Sequence, residues 1–231
     1  MSIIKSNSTE FNIKKFGILY PIFSENTESS GVAKGHYYHQ DLYFANLIYR
    51  DKPRIHFDVG SRIDGFISHL LSFEQKLLIG DIRKSEIDNS LVKNIYFDLS
   101  KPLKRKKLTT YTSISCLHAI EHVGLGRYGD QLDPLGHLKA LKNLSLILKK
   151  EGILYLSHPT SKESEIYFNA HRVISLKDIS YIFSYVGLKP INFAYVDNSG
   201  LFHAPISPDK IDYLNNFGLN YGCALWCLKK I

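Results

Sequence analysis

HFDVGSRIDGF, residues His56–Phe66, is the stretch on which the reading of the chain turns. An apolar run ends in an acidic residue and a glycine, and an amphipathic stretch, GFISHLLSF, follows at once. Strand, glycine turn and helix in that order form a nucleotide-type loop, because glycine lets the backbone turn tightly and approach a ligand at the helix start. Arg62 stands where such loops usually carry a second glycine.

Working outward, short apolar runs recur at IHFDV, LLIGDI, IYFDL, SISCL and ILYLSHP, each bounded by turn residues or charge. Between the last two, GHLKALKNLSLILKK places Leu138, Leu141, Leu144 and Leu148 at helical spacing. Continuous apolar strands alternating with amphipathic helices predict an α/β fold: a Rossmann-like, doubly wound sheet, mostly parallel and covered on both faces. Near the end, SLKDISYIFSYVG has Ser175 as N-cap and Gly187 as C-cap. KPINFAYV and YGCALWCLKK then read as strands with no strong helix between them, an antiparallel pair at the sheet edge.

Upstream, YYHQDLYFANLIYR reads as a helix with Leu42, Ala45 and Tyr49 on one side, and SENTESSG, Ser24–Gly31, as a loop. Residues 1–50 are therefore expected to be an N-terminal segment with a helix that packs on or covers the core, and residues 51–231 the doubly wound α/β domain.

Composition narrows the class. The 231 residues are 44% hydrophobic and 13% aromatic, enough for a sizeable core. No stretch approaches the ~20 apolar residues of a membrane span, and the N-terminal sequence lacks the charged-then-apolar order of a secretory signal. A cytoplasmic location is the expectation. Cys116, Cys223 and Cys227 lie in apolar surroundings and lack a second pair to complete a zinc knuckle, so they read as buried thiols. The net charge of +7 is concentrated partly in KPLKRKK, Lys101–Lys107. Without interleaved aromatics that run reads as a solvated loop, or as an attractor for an anionic substrate, and not as a nucleic-acid site.

In a doubly wound sheet the ligand binds at the carboxyl ends of the strands, near the topological switch point. Asp58 and Gly60 end the first strand, Asp81 the second, Asp98 the third, and Ser115 and Cys116 the fourth. This set resembles the class I S-adenosylmethionine-dependent methyltransferases. Their acidic-x-Gly-x-Gly-x-Gly motif is matched in part by DVGSRIDG, with Asp58 and Gly60 aligned, Arg62 in place of the second glycine and Gly65 one residue late. The resemblance implies S-adenosylmethionine as cofactor, held by Asp58, Gly60, Ser61, Arg62, Gly65, Asp81, Asp98 and Ser115. Asp81 would bind ribose hydroxyls and Asp98 the adenine amine. The loose glycine motif and the closing strand pair count against a nicotinamide cofactor.

From about His36 to Leu228, the strings GHYYHQDL, IGDIR, HAIEHVGLGRYGD, FNAHRVIS and YGCALWCLKK resemble more closely an uncharacterised family of methyltransferase-like domains, named after a nematode protein of unknown function. Its bacterial members often lie beside surface-polysaccharide genes, which implies O-methylation of a sugar or glycan precursor. The altered glycine motif also fits another reading, a catalytically silent methyltransferase-like binding or assembly module.

Methyl transfer to a hydroxyl needs an aligned acceptor and a proton acceptor. His118, Glu121 and His122, just past the fourth strand, are the candidates, with Glu121 orienting a histidine; packing or capping is the plainer role. His118 and His122 stand at i, i+4 like a zinc pair, but Glu121, the glutamate they bracket, is misplaced for a His-Glu-x-x-His motif, so no metal is expected there. Arg127, Tyr128 and Asp130, in the turn-rich segment Gly124–Gly136, and His171 and Arg172, after the fifth strand, are candidate acceptor contacts. Arg172 suits a carboxylate or phosphate, or a structural ion pair. Asp133-Pro134 is expected to open the next helix. His36, Tyr37, His39 and Gln40 are candidates for a lid, or simply dock a helix.

Overall fold

All four residues of the first strand, β1 (His56–Val59), are buried, as a central strand covered on both faces requires. In the computed structural model, which describes residues 31–84, 87–103 and 110–231, β1 pairs in parallel with β2 (Leu77–Asp81) on one side and with β4 (Tyr111–Leu117) on the other. β3 (Val92–Tyr96) extends the sheet beyond β2, and β5 (Leu148–Thr160) beyond β4, both in parallel. Then the direction changes. β10 (Gly222–Lys230) runs antiparallel to both β5 and β8 (Leu188–Val196), and β9 (Phe202–Ile206) closes the edge. The order is β3-β2-β1-β4-β5-β10-β8-β9, with the switch point between β1 and β4. A separate hairpin joins β6 (Glu165–Tyr167) to β7 (His171–Val173). This is the expected mostly parallel α/β sheet with an antiparallel C-terminal pair.

Period-2 alternation distributes the strand residues between two cores. On β10, Ala224, Trp226 and Leu228 join Phe57, Val59 and Ile114 beneath α3 (Gly136–Ile147) and α4 (Leu176–Val186). Cys223, Leu225 and Cys227 join Leu77 and Ile79 on the other face, beneath α1 (His36–Asp51) and α2 (Ser68–Ser72). α4 is capped as expected: the Ser175 hydroxyl accepts from the Asp178 N–H at 3.1 Å, and Gly187 takes a left-handed φ of 72°.

Several expectations are corrected. The buried face of α1 is Gln40, Asp41, Phe44, Ala45 and Ile48, while Leu42 and Tyr49 are exposed. The reason is that two polar residues occupy the buried stripe: Gln40 Nε2 donates to Asp41 Oδ1, and the Ser157 hydroxyl of β5 donates to Gln40 Oε1. The third strand ends at Tyr96, so Asp98 lies in the turn beyond it. α3 begins at Gly136, since Asp133 uses Oδ1 to accept the Leu135 N–H in a preceding turn, and it gives way to β5 at Leu148. The Ser24–Gly31 loop and the basic run lie largely outside the described residues. No described helix is long and apolar enough to cross a membrane.

Candidate functional site

The turn after β1 is organised from behind. Asp58 is fully buried, and it accepts the Ser61 N–H at 3.2 Å, the Ser61 hydroxyl at 2.5 Å and the Ser115 hydroxyl at 2.5 Å. Ser115 also meets His56 Nε2 at 2.8 Å, and Ser113 meets His56 Nδ1 at 2.8 Å. Burial pushes the Asp58 carboxyl up to about 6, against the lowering effect of its three hydrogen bonds. Burial also holds His56 down at about 3, neutral between the two serines. Asp58, Ser61 and Ser115 thus brace the loop and do not line the cleft in front of it.

That cleft lies open to solvent at the carboxyl ends of β1, β2 and β4, about 550 Å³ with its mouth included, and Gly60, Asp81, Asp98, His118, His122, Tyr128 and Asp130 contribute to its wall. Glycine is required at two points. Gly60 has φ 76° and would place a Cβ 3.0 Å from that of Ala119; a Cβ on Gly80 would lie 2.8 Å from Phe97 and 2.9 Å from the Phe57 ring. Asp81 holds Arg83 in a two-pronged pair, 2.9 Å from Nε to Oδ1 and 2.7 Å from Nη2 to Oδ2, and the Arg83 guanidinium lies 4.7 Å from the Tyr128 ring centroid. Asp98 accepts the Ser100 N–H and hydroxyl at 2.9 and 2.6 Å and pairs with Lys101 at 3.2 Å. Burial opposes its charge, but these partners outweigh burial and hold its carboxyl below the usual range.

Arg62 and Gly65 face elsewhere. Arg62 is exposed, forms a two-pronged pair with Asp64 at 3.0 and 2.6 Å, and lies 5.2 Å from the Tyr37 ring centroid. A Cβ on Gly65 would lie 2.3 Å from Asp41 Oδ2, so this glycine serves the approach of α1.

Past β4 the chain enters a 3-10 turn, Ile120–His122, with Glu121 buried between two histidines. His118 Nδ1 is 2.8 Å from Glu121 Oε1, and His122 Nε2 is 3.9 Å from the same oxygen. The remaining ring nitrogens differ. His122 Nδ1 donates to the Ala170 carbonyl at 2.7 Å, which leaves Nε2 with a lone pair. His118 Nε2 meets Cys223 Sγ at 3.3 Å, so both its nitrogens are engaged. Burial disfavours the His118 cation, yet Cys223 and Glu121 together outweigh burial and raise its pKa well above the ordinary value. For His122 burial dominates and lowers it, with Glu121 opposing.

Of the candidate acceptor contacts, Tyr128 and Asp130 line the cleft, and Asp130 accepts the Gly124 N–H at 2.5 Å. Arg127 donates to the Ala170 carbonyl at 3.1 Å. His171 stands 6.3 Å from His122, ring to ring, and 3.2 Å from the Tyr221 hydroxyl. Arg172 is a correction. It is 2% exposed, and its guanidinium donates to the carbonyls of Val123 at 2.6 Å and Asp133 at 3.1 Å, with longer contacts to Glu121 and Pro134. It fastens the segment after β4 and is not available to an acceptor.

Sequence reasoning missed Arg83, although IGDIR contains it two residues after Asp81. It also missed Ser157, whose hydroxyl accepts the His118 N–H at 3.0 Å, and the meeting of His36 and Cys223 with His118.

Solved structures share this architecture. The 1,6-didemethyltoxoflavin-N1-methyltransferase of Burkholderia thailandensis, crystallised with S-adenosylhomocysteine, superposes with TM-score 0.57 at 10% identity, over 83% of this chain and 79% of that one. The N-methyltransferase NodS of Bradyrhizobium japonicum, also with S-adenosylhomocysteine, gives 0.56 at 10% identity, over 85% and 88%. An S-adenosylmethionine-dependent methyltransferase of Clostridium acetobutylicum gives 0.52 at 10% identity, over 86% and 93%. These likenesses show a methyltransferase-type fold. No curated protein matches the sequence. A family model described as "Caenorhabditis protein of unknown function, DUF268" matches residues 67–191, and the chain belongs to that family.

Proposed function

We propose that the protein is an S-adenosylmethionine-dependent methyltransferase that methylates a hydroxyl, with a sugar or surface-glycan precursor as acceptor. The observation that carries this reading is the cleft itself, with Gly60 and Gly80 kept free of side chains, Asp81 at the end of β2 and Asp98 just beyond β3. These residues fit the cofactor. Arg83 donates three hydrogen bonds to the Asp81 carboxylate, its backbone N–H and Nε to Oδ1 and its Nη2 to Oδ2, which leaves a lone pair on Oδ2 to accept a ribose hydroxyl. Asp98 remains ionised beside it, suited to an exocyclic amine. The bound cofactor supplies an electrophilic methyl group on a sulfonium.

His122 is the base in this reading. Its Nδ1–H is committed to Ala170, its Nε2 is free, and burial keeps the ring neutral, so Nε2 takes the hydroxyl proton as the oxygen attacks. Glu121 then faces the resulting imidazolium. The hydroxyl preference rests on this unoccupied nitrogen, and the sugar preference on the aromatic rim of Tyr128, Tyr167, His171 and Tyr221, flat faces suited to a ring-shaped acceptor. An anionic acceptor draws support from Arg127 at the same rim.

Calorimetric titration with S-adenosylmethionine tests the reading. Saturable binding at one site per chain is expected. A folded protein that shows no binding heat and no thermal stabilisation by S-adenosylhomocysteine would overturn it in favour of a silent binding module. In an acceptor screen that detects turnover, His122→Ala should lower kcat by ~10²–10⁴-fold with cofactor affinity unchanged.

A further inference from the structure

One side-chain cluster goes beyond the methyl-transfer reading. His36, the first residue of α1, His118, just after β4, and Cys223, near the start of β10, come from three distant parts of the chain. Yet their ligand-type atoms all lie within 4.8 Å of one another. His118 Nε2 and Cys223 Sγ are 3.3 Å apart, and the His36 and His118 rings lie nearly parallel, 8° apart in plane with centroids 5.4 Å apart. For tetrahedral zinc, with metal–nitrogen and metal–sulfur bonds of ~2.1 and ~2.3 Å, ligand atoms stand about 3.3–3.6 Å from each other. The His118–Cys223 pair already has that spacing, and His36 needs a movement of about 1 Å, within reach of a side-chain rotation.

We propose that His36, His118 and Cys223 form a binding site for a divalent transition-metal cation of the zinc class.

The surroundings of the cluster have the form such a site takes. A ligating histidine commonly gives its second ring nitrogen to a carboxylate, which fixes the tautomer and makes the ligand more basic. His118 does this: Nδ1 meets Glu121 Oε1 at 2.8 Å, which leaves Nε2 to the cluster. Glu121 is 1% exposed, and its second oxygen, buried beside this network, has no hydrogen-bond partner among the described residues. His118 itself is held at φ 47°, an uncommon conformation for a side-chain-bearing residue, pinned by N–H bonds to the Ser157 hydroxyl and carbonyl at 3.0 and 3.2 Å. Tyr37 and Tyr221 flank the histidine pair, with ring centroids 5.0 Å from His118 and 5.7 Å from His36.

The donor set selects the cation. Two imidazoles and a thiolate favour zinc or its neighbours over magnesium and calcium, which prefer oxygen. Cys223 binds as the thiolate and its proton leaves to solvent, so uptake releases a proton. Cys227 cannot serve: it shares a face of β10 with Cys223 but stands two pleats away, about 13 Å along the strand. Three protein ligands leave a fourth position for water or an acceptor atom. Because His118 also lines the cleft, that position would bring a polarised acceptor to the transfer site. This last step rests on the methyltransferase reading, whereas the metal site does not.

The test uses the full chain, purified under reducing conditions. Elemental analysis should find about one equivalent of zinc. After chelation and loading with Co²⁺, a thiolate-to-cobalt charge-transfer band should appear in the near ultraviolet. Cys223→Ser should abolish the band, and His36→Ala should weaken Co²⁺ binding at least tenfold. Glu121→Gln, which changes a positioning residue, should keep the band and weaken binding by ~10–100-fold. Circular dichroism and a cooperative melt qualify each variant, and His36, on the half-buried end of α1, supplies a second variant if Cys223→Ser does not fold. Wild-type protein that takes up neither metal, or a band that survives Cys223→Ser, overturns the proposal and leaves a hydrogen-bonded thiol–imidazole pair. Titration of the same apo and loaded samples with S-adenosylhomocysteine separates the two readings, since loss of either binding is seen without loss of the other.

Discussion

On the β1–β2–β3 side of the cleft, polar groups answer to residues two or three positions away: Asp58 to Ser61, Asp81 to Arg83, Asp98 to Ser100. On the β4–β5–β10 side the partners are far apart in the chain: His118 with Cys223, His122 with the Ala170 carbonyl, Ser157 with Gln40, Arg172 with the carbonyls after β4. The first half is assembled by local turns at strand ends. The second exists only after α1, β5, β7 and β10 have all docked. Local turns are expected to tolerate substitution with a loss confined to the cleft, while long-range fastenings should report in global stability.

Arg172→Ala probes the second half hardest. It strips a buried cation from the carbonyls of Val123 and Asp133; Val123 loses its guanidinium donor, and Asp133 keeps only the Gly136 N–H. Hydrogen bonds to charged groups contribute ~1.5–3 kcal/mol each, so a loss of about 3–5 kcal/mol is expected in urea unfolding. A loss under 1 kcal/mol would mean that the segment after β4 does not depend on this long-range clamp.

Asp58 is the exception within the first half, because its partners include Ser115 on the neighbouring strand and its environment is wholly buried. Its folded pKa of about 6 lies above the ordinary carboxyl value of 3.8. A carboxyl raised on folding contributes stability that is fully present below the unfolded pKa and lost as pH rises through the folded one. Its contribution therefore falls by roughly 3 kcal/mol from about pH 4 to about pH 6 and is flat above. Asp58→Asn should remove that slope. A slope unchanged in the variant would assign it to another group.

The same division decides what was legible in the sequence. Strand, glycine and acid follow one another along the chain, so the sheet, the switch point and the cleft residues Gly60, Asp81 and Asp98 could be read directly. The brace behind the turn could be read only as a set of polar residues, since nothing local says that Asp58 and Ser115 face away from the cleft. The α1 face was misread because Gln40 and Asp41 occupy its buried stripe, and hydrophobic periodicity passes over polar positions. The β6–β7 hairpin and β9 escaped because the strands are only three to five residues long and carry little apolar signal: β6 is exposed, β9 is at most half-buried, and one of the two buried residues of β7 is an arginine. Arg172 gave no sign of its role, and neither did the approach of His36 to Cys223, since a guanidinium or a thiol looks the same in sequence whether its partner is a ligand, a carbonyl or a second side chain.

Asp81→Ala sharpens the comparison from the other direction. Its pairing with the exposed Arg83 lies at the cleft wall, so the fold should lose little. S-adenosylmethionine affinity should fall by ~10–100-fold, the value of one or two hydrogen bonds to a carboxylate. Equal losses in stability and affinity would erase the distinction between the two halves.

The smallest effect belongs to Arg62, the residue that makes the glycine loop irregular. Its guanidinium is paired with Asp64 in solvent and stacks near Tyr37, outside the cleft. Exposed pairs of this kind contribute little, so Arg62→Ala should move the melting midpoint by about 2 °C or less. Cofactor affinity should stay within about twofold, well under the tenfold that a lost hydrogen bond to the ligand would cost. If the cofactor is approached by the backbone at Gly60, as we propose, the side chain at position 62 is free to vary provided it points outward, and its pairing with Asp64 keeps it there. An affinity loss of tenfold or more would mean that Arg62 leaves Asp64 when ligand arrives and reaches the cofactor's carboxylate, making the first half of the site, like the second, complete only after a rearrangement.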